Sequence, residues 1–312
     1  MVSPDHLVLI VDSRYETAAR TLAAGAPRLA VHRAEKSLDD AIATVLRQAG
    51  RTRVGIEAAH LTVAKYNKCA SLLESAVRLL PTERIVERMR AVKDLTEQSV
   101  LREAGRRLGE VARTLPSLVQ VGRSERQIAA SIDATMREAG FEKPAFETIV
   151  ASGPNAALPH ARPTHRTIEN GEGVLLDFGG SYDGYCVDLT RTLHVGPASA
   201  PFRRLFDAVS AAHGAAVSAV KPGVAAVDID KAARQVLVDH GLGEAFGHGT
   251  GHGVGLEVHE EPRISPLSPQ DEPVVAGMVF TIEPGAYLPG FGGVRIENVV
   301  LVVDGGCEVL TP

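Results

Sequence analysis

The chain has 312 residues, a net charge of −5, 45% hydrophobic and 23% charged residues, no Trp and only 4% aromatics. That length allows two domains with real cores, while the negative balance and scarce aromatics exclude a surface built on phosphate attraction and base stacking. No run of about 18 apolar residues marks a membrane span, and the start, MVSPDHLVLIVD, lacks the basic region and small-residue cleavage site of a signal peptide.

Residues 7–12 read as a buried strand, Glu16 to Ala24 as a short helix, and Arg28 to His32 as a strand. Apolar residues at 38, 41, 42, 45, 46 and 49 form a helical stripe closed by Gly50. A strand at Arg53 to Ile56 and a helix at Leu61 to Leu73 continue the alternation, which predicts a small α/β unit with a mostly parallel sheet, ending near Pro81. Ile85 to Leu118 reads as one or two long amphipathic helices whose alternating charges make a solvated face. The expected domains are 1–84 and 85–312. Ser124 and Gln127 make a capping box that opens a helix through Ala139. A strand at Phe146 to Ser152 and a loop at Pro154 to Arg166 follow.

From Val174 to Thr192 two apolar-rich runs flank Asp183 and Gly184, a step that tolerates positive φ and marks a hairpin. Helices at Ala200 to Val220 and Val227 to His240 come next, then a Gly- and His-rich stretch at 247–261 and a Pro-rich loop at 262–273. Two strands, Met278 to Tyr287 and Val294 to Val303, close the chain.

The chemistry lies in four blocks of the second half. Asp177 and Asp188 sit in the two hairpin runs, among residues that favour burial. A buried carboxylate is costly unless compensated, so the pair is either solvated on an edge hairpin or a pair of metal ligands. His248, His252 and His259 cluster in FGHGTGHGVGLEVHE, where glycines permit close backbone approach and incidental loop histidines are the alternative. Glu283 in FTIEPGAY and Glu297 in GVRIENVVLV each interrupt an apolar strand. Four converged carboxylates would repel by several kcal/mol per close pair at an effective dielectric of about 20. Two divalent cations would cancel that charge, and an oxygen-rich set with one imidazole suits Mn, Co, Fe or Zn.

The order D-x10-D, GHGxGHxxG, TIEPG and VRIEN resembles the pita-bread metallopeptidases (family M24), over about residues 85–312. The resemblance implies an α+β fold: a curved, largely antiparallel sheet under helices, preceded by a creatinase-like α/β N-terminal domain. It implies Asp177, Asp188, His252, Glu283 and Glu297 as ligands of two divalent metal ions, manganese foremost, with Asp188 and Glu297 bridging. Glu283 would double as general base, and His160 in the ALPH loop would handle the leaving group or substrate. His248 and His259 would hold substrate and stabilise the oxyanion. Thr190 and Thr281 would orient ligand carboxylates, and Arg295 would pair with a carboxylate in or near the site, substrate included.

Within the family, the string through His259 and the N-terminal unit resemble the Xaa-Pro-cleaving branch, Xaa-Pro aminopeptidase and Xaa-Pro dipeptidase (prolidase). DSRY at 12–15 resembles a D-x-R-Y that lies deeper in relatives, so the N-terminal domain reads as abbreviated. The resemblance gives that domain a part in dimerisation and in limiting substrate length. The expectation is therefore a cytoplasmic homodimer acting on short proline-containing peptides as an Xaa-Pro aminopeptidase, with the dipeptidase as alternative. A non-peptide C–N hydrolase and a metal-free binding protein on the same fold are rivals that the intact ligand set disfavours.

Cys69, Cys186 and Cys307 are widely spaced and odd in number, which fits a reducing compartment without structural disulfides. Cys186 reads as a small buried filler, and His6, His32, His60, His165, His194, His213 and His240 as surface or packing residues.

Overall fold

The structure, a computed structural model, describes residues 1–5, 7–74 and 76–312; His6 lies outside the described residues. Contacts divide the chain into two units, Met1–Ile85 and Val86–Pro312. No helix among the described residues is long and apolar enough to cross a membrane.

The first unit runs β1 (Leu7–Val11), α1 (Glu16–Ala24), β2 (Leu29–Arg33), α2 (Leu38–Gln48), β3 (Arg53–Glu57), α3 (Val63–Leu73) and β4 (Arg78–Thr82). Ser37 and Thr62 cap α2 and α3 by accepting the backbone N–H three residues on. The expected single sheet is instead two parallel pairs, β1 with β2 and β3 with β4. Each β–α–β connection closes its own pair. Strand β4 was not anticipated because it contains Pro81, which removes a ladder donor. Ala43, Leu46, Cys69, Leu73, Val77 and Leu79 form the core of this unit.

Residues 85–118 form two helices, α4 (Ile85–Ala91) and α5 (Leu95–Leu118), and all but Ile85 belong to the second unit. The break falls where Asp94 accepts from Thr96 and Glu97 N–H, and Glu97 returns to Asp94 in a capping box. The capping box read at Ser124 and Gln127 opens α6 (Glu125–Glu138). Next come β5 (Lys143–Pro144), β6 (Ile149–Ser152) and a 3-10 turn at Gly153–Ala157. The hairpin is β7 (Gly173–Tyr182) and β8 (Tyr185–His194), turned by Asp183 at φ 48° and Gly184 at φ 78°. Then follow α7 (Ala200–Ala219), α8 (Ala226–Asp239), β9 (Gly251–Gly253) and β10 (Glu260–Ile264).

The closing stretch differs most from expectation. Met278 to Tyr287 divides into β11 (Val279–Ile282) and β12 (Gly285–Leu288), and Val294 to Val303 into β13 (Gly292–Arg295) and β14 (Asn298–Val303). The interruptions fall at Glu283-Pro284 and Ile296-Glu297. Pro284 cannot donate to a ladder, so the strand leaves one partner there and takes another. Strands β11 and β14 join the sheet β10-β9-β11-β14-β15, whose edge is β15 (Gly306–Val309), while β12 pairs only with β13 among the described residues.

Helices α5 and α6 cover β7 and β8 through Leu101, Leu108, Ile128, Ile132, Phe178 and Leu189. Helices α7 and α8 cover β11 and β14 through Leu205, Val209, Ile229, Leu237, Phe280 and Val300. Each such buried side chain contributes about 1.5–3 kcal/mol. The strands of this unit pair antiparallel, so the α+β expectation holds. The two interruptions are held where these layers meet.

Candidate metal centre

The hairpin register sets the first two carboxylates. Asp177 lies opposite Thr190, and Asp188 opposite Gly179. Residues directly opposite share a face, so Asp177, Thr190 and Asp188 project from the same side, with the two aspartates on a diagonal. Only glycine fits opposite Asp188: a Cβ on Gly179 would lie 2.3 Å from Val187 O.

The glutamates reach that face because their strands are interrupted. Glu297 N–H donates to Thr190 O at 3.2 Å, and Arg191 Nη1 donates to Glu297 O at 2.6 Å. Thr190 Oγ1 then donates to Glu297 Oε2 at 2.6 Å. Glu283 N–H donates to Thr250 O at 2.7 Å, which ties it to the glycine-rich loop. Thr281 Oγ1 accepts His252 N–H at 3.0 Å and lies 3.3 Å from Glu283 Oε1, to which it donates. Both threonines expected to orient carboxylates are in contact with them.

His252 Nδ1 donates to Gly253 O at 3.0 Å. That hydrogen bond leaves the Nε2 lone pair free to face Glu283 Oε1 at 3.4 Å and Asp188 Oδ2 at 3.8 Å. Asp188, His252 and Glu297 present ligand atoms all within 4.8 Å of one another.

The electrostatics of this cluster are unfavourable by themselves. Burial, then the neighbouring Glu297, Asp177 and Glu283, push the Asp188 carboxyl well up; burial with Glu283 and Asp177 does the same to Glu297. Burial drives Glu283 up to about 7 against the pull of Arg295. Asp177 Oδ1, Asp188 Oδ1 and Glu297 Oε1 are buried without a hydrogen-bond partner. One orphaned buried acceptor costs about 1–3 kcal/mol. Three orphaned oxygens beside an imidazole lone pair are what a divalent cation satisfies, so the residues fit a metal.

The other expected site residues divide. His259 is exposed, and its ring lies 4.3 Å from that of His252, centroid to centroid. His160 is exposed on the loop after the 3-10 turn; the preceding Pro159 O accepts from Arg295 Nη1 at 3.2 Å. His248 is engaged on both sides: Nδ1 donates to Gly249 O at 2.8 Å, and Nε2 lies 2.9 Å from Tyr287 Oη, which donates to it. In this arrangement it presents no N–H to an oxyanion, unlike the sequence expectation. Burial and the Arg295 and Arg234 guanidiniums push it down to about 4, so the ring is neutral. Arg295 pairs with a carboxylate of the site, as expected, and that carboxylate is Asp177. The arginine is 3% exposed, and it donates to Asp177 Oδ2 at 2.5 Å, Tyr287 Oη at 2.8 Å and Thr190 Oγ1 at 3.1 Å. Those contacts spend its donors on the cluster, so it faces Asp177 rather than a substrate.

Sequence reasoning gave no role to Tyr287, which joins His248 to Arg295. It also passed over Arg263, an exposed cation whose Cα pairs with that of His252 across β9 and β10. A lone Tyr or Arg in a strand carries no signal of what lies opposite.

Known proteins carry the same arrangement of chain. Residues 99–304 match the model of metallopeptidase family M24, and residues 1–92 that of the creatinase/prolidase N-terminal domain. An Xaa-Pro dipeptidase of Pyrococcus furiosus is 41% identical over 73% of the chain, a match spanning 65% of that relative's length. The solved Xaa-Pro dipeptidase from Bacillus anthracis superposes with TM-score 0.94 at 34% identity, covering 99% of this chain and 85% of that one. The X-Pro aminopeptidase from Thermotoga maritima gives TM-score 0.88 at 33% identity, covering 100% and 87%.

Proposed function

The chain belongs to metallopeptidase family M24, with the pita-bread catalytic fold behind a creatinase-type N-terminal domain, and from that premise we propose that it is an Xaa-Pro dipeptidase whose divalent metals are held by Asp177, Asp188, His252, Glu283 and Glu297. The observation that carries the reading is the set of three orphaned, buried carboxylate oxygens around the His252 lone pair. The oxygen-rich ligand set favours manganese. When bound, the metal would polarise the scissile carbonyl and make water nucleophilic near neutral pH.

The chain's own residues supply the rest. Glu283, poised near 7 when the site holds no metal, is placed to take a proton from the attacking water and return it. A tertiary Xaa-Pro amide has no N–H, so its nitrogen must be protonated as it leaves; Glu283 and His160 are the proposed donors. His259, exposed beside His252, is the ring proposed to meet the developing oxyanion. His248 and Tyr287 brace Arg295, which in turn fixes Asp177.

A dipeptide carries a free carboxylate next to the scissile bond, and a cation must receive it. Arg263 is the proposed partner. It stands opposite His252 in the ladder, hence on the same face, and its positive charge is felt by His259. The similarity to the two dipeptidases supports this choice over the aminopeptidase to which the sequence leaned. A second reading, an aminopeptidase acting on longer peptides, is favoured by the similarity to the Thermotoga maritima structure. Hydrolysis of Ala-Pro against Ala-Pro-Ala separates the two. The dipeptidase reading requires a strong preference for Ala-Pro and a raised KM for it in Arg263→Gln; equal rates on both peptides would assign the aminopeptidase.

A further inference from the structure

One ion pair with a buried carboxylate lies outside the cluster and has no part in the steps above. On α8, Asp230 is 1% exposed and Arg234 stands one turn further on. Arg234 Nε and Nη2 donate to the two Asp230 oxygens at 2.9 and 3.0 Å. The other hydrogen bonds of both residues go to the loop that carries His248. Arg234 Nη1 donates to Phe246 O at 3.0 Å, and Nη2 to His248 O at 2.8 Å. Its guanidinium also lies 4.2 Å over the Phe246 ring, whose edge packs 5.0 Å from the His248 ring. Asp230 Oδ1 accepts Thr250 N–H at 3.1 Å and Thr250 Oγ1 at 2.8 Å. The pair thus holds the backbone on both sides of Gly249 and the aromatic face of His248.

This arrangement exceeds what helix stability needs. An Asp–Arg pair at i,i+4 on a surface helix contributes about 0.3–0.5 kcal/mol. Here Asp230 is buried, Arg234 is half-buried and its fork reaches two loop carbonyls, and a planar guanidinium serves several carbonyls at once where an ammonium serves one point. The loop has glycines at 247, 249, 251 and 253, so its own backbone does not fix the ring.

We propose that Arg234, braced by Asp230, is a positioning residue that holds His248 against Tyr287 and so keeps the Tyr287–Arg295–Asp177 chain in register with the metal cluster. Its consequence for turnover rests on the proposed peptidase reading; the placement of the ring does not. Two readouts keep these apart, the first on enzyme loaded with diamagnetic zinc and the second on enzyme loaded with manganese. The first is the His248 imidazole resonance followed by NMR from pH 8 to 5 in the wild type and in Arg234→Lys. Lysine retains the positive charge, so any change reports the position of the ring and not a lost charge. The wild-type resonance stays still over this range, and in Arg234→Lys it titrates.

The second is a double-mutant cycle on Xaa-Pro hydrolysis. Arg234→Lys lowers kcat at least tenfold in the wild-type background, since a misplacement of about 1 Å can cost a hundredfold. It changes kcat less than twofold in the His248→Asn background, because the ring it positions is gone. Metal content and Tm near wild type exclude general unfolding, which Arg234→Gln checks with a second side chain. A His248 resonance unmoved by Arg234→Lys, or an equal loss in both backgrounds, overturns the proposal. Absence of Xaa-Pro cleavage by the wild type overturns the peptidase reading, and the NMR result still decides the positioning.

Discussion

Glu283→Gln should stabilise the metal-free protein and destabilise the metal-loaded one relative to wild type. Burial raises the Glu283 carboxyl from 4.5 to about 7 in the folded, metal-free state. The folded state therefore holds a proton that the unfolded state releases between those values. Stability is lost as pH climbs through that window, and the loss is complete above 7. At 1.36 kcal/mol per pH unit, ionising Glu283 in the folded protein costs about 3 kcal/mol. Glutamine is nearly isosteric and carries no charge, so it avoids this cost. A domain of this size gains about 2–4 °C in Tm per kcal/mol, which puts the variant roughly 6–12 °C above wild type at pH 8 with chelator, and level with it at pH 4.5. Titrating groups outside the cluster cancel in the difference between the two proteins. Saturating metal stabilises whichever protein binds it, by about 4 kcal/mol at a thousand times Kd, so the order reverses when manganese at that excess is added and the variant, short of one ligand charge, does not take it up. Thermal unfolding followed by circular dichroism measures both. A variant less stable than wild type at pH 8 in chelator would refute the claim that the carboxylates repel one another and await a cation.

Three further outcomes are expected. Glu283→Ala abolishes peptide hydrolysis with metal supplied, and retention of even a tenth of wild-type kcat in a steady-state assay would sink its role as base. Burial and the Arg191 guanidinium push His213 on α7 down to about 4, so the unfolded chain takes up a proton near 6.5 that the folded protein refuses. Stability then falls as pH drops from 6.5 to 4, by about 3 kcal/mol, and His213→Gln should recover that loss against wild type in urea melts at pH 7 and pH 4. Gly105→Ala would set a Cβ 2.3 Å from Leu310 O, and overpacking of this kind costs about 1–3 kcal/mol; a Tm unchanged by the substitution would mean that the segment after β15 yields freely.

The cluster itself was legible because carboxylates in apolar strands contradict their surroundings. Asp177, Asp188, Glu283 and Glu297 each break a hydrophobic run, and glycine around His252 leaves a helix or strand little reason to place histidines there. The helical stripes followed from periodicity and the start of α6 from its capping box, while the α+β class came with the resemblance to the M24 metallopeptidases. What remained hidden depends on the partner rather than the residue. Periodicity does not reveal that a strand changes sheet at Glu283 or Glu297, because both halves look equally buried. The Arg295–Asp177 pair spans 118 positions, and no local pattern announces it. Asp230 and Arg234 have the spacing of an ordinary surface pair on a helix, and only the packed loop distinguishes them. Both ring nitrogens of His248 turned out to be occupied, which a motif that names the residue does not disclose.

The central claim is tested most directly by hydrolysis of Ala-Pro and Ala-Pro-Ala with purified protein, manganese and a chelator-treated control. Cleavage of Ala-Pro that is lost with chelator and restored by manganese is the predicted result. Metal bound in stoichiometric amount with neither peptide cleaved would contradict the assignment of this site to Xaa-Pro hydrolysis.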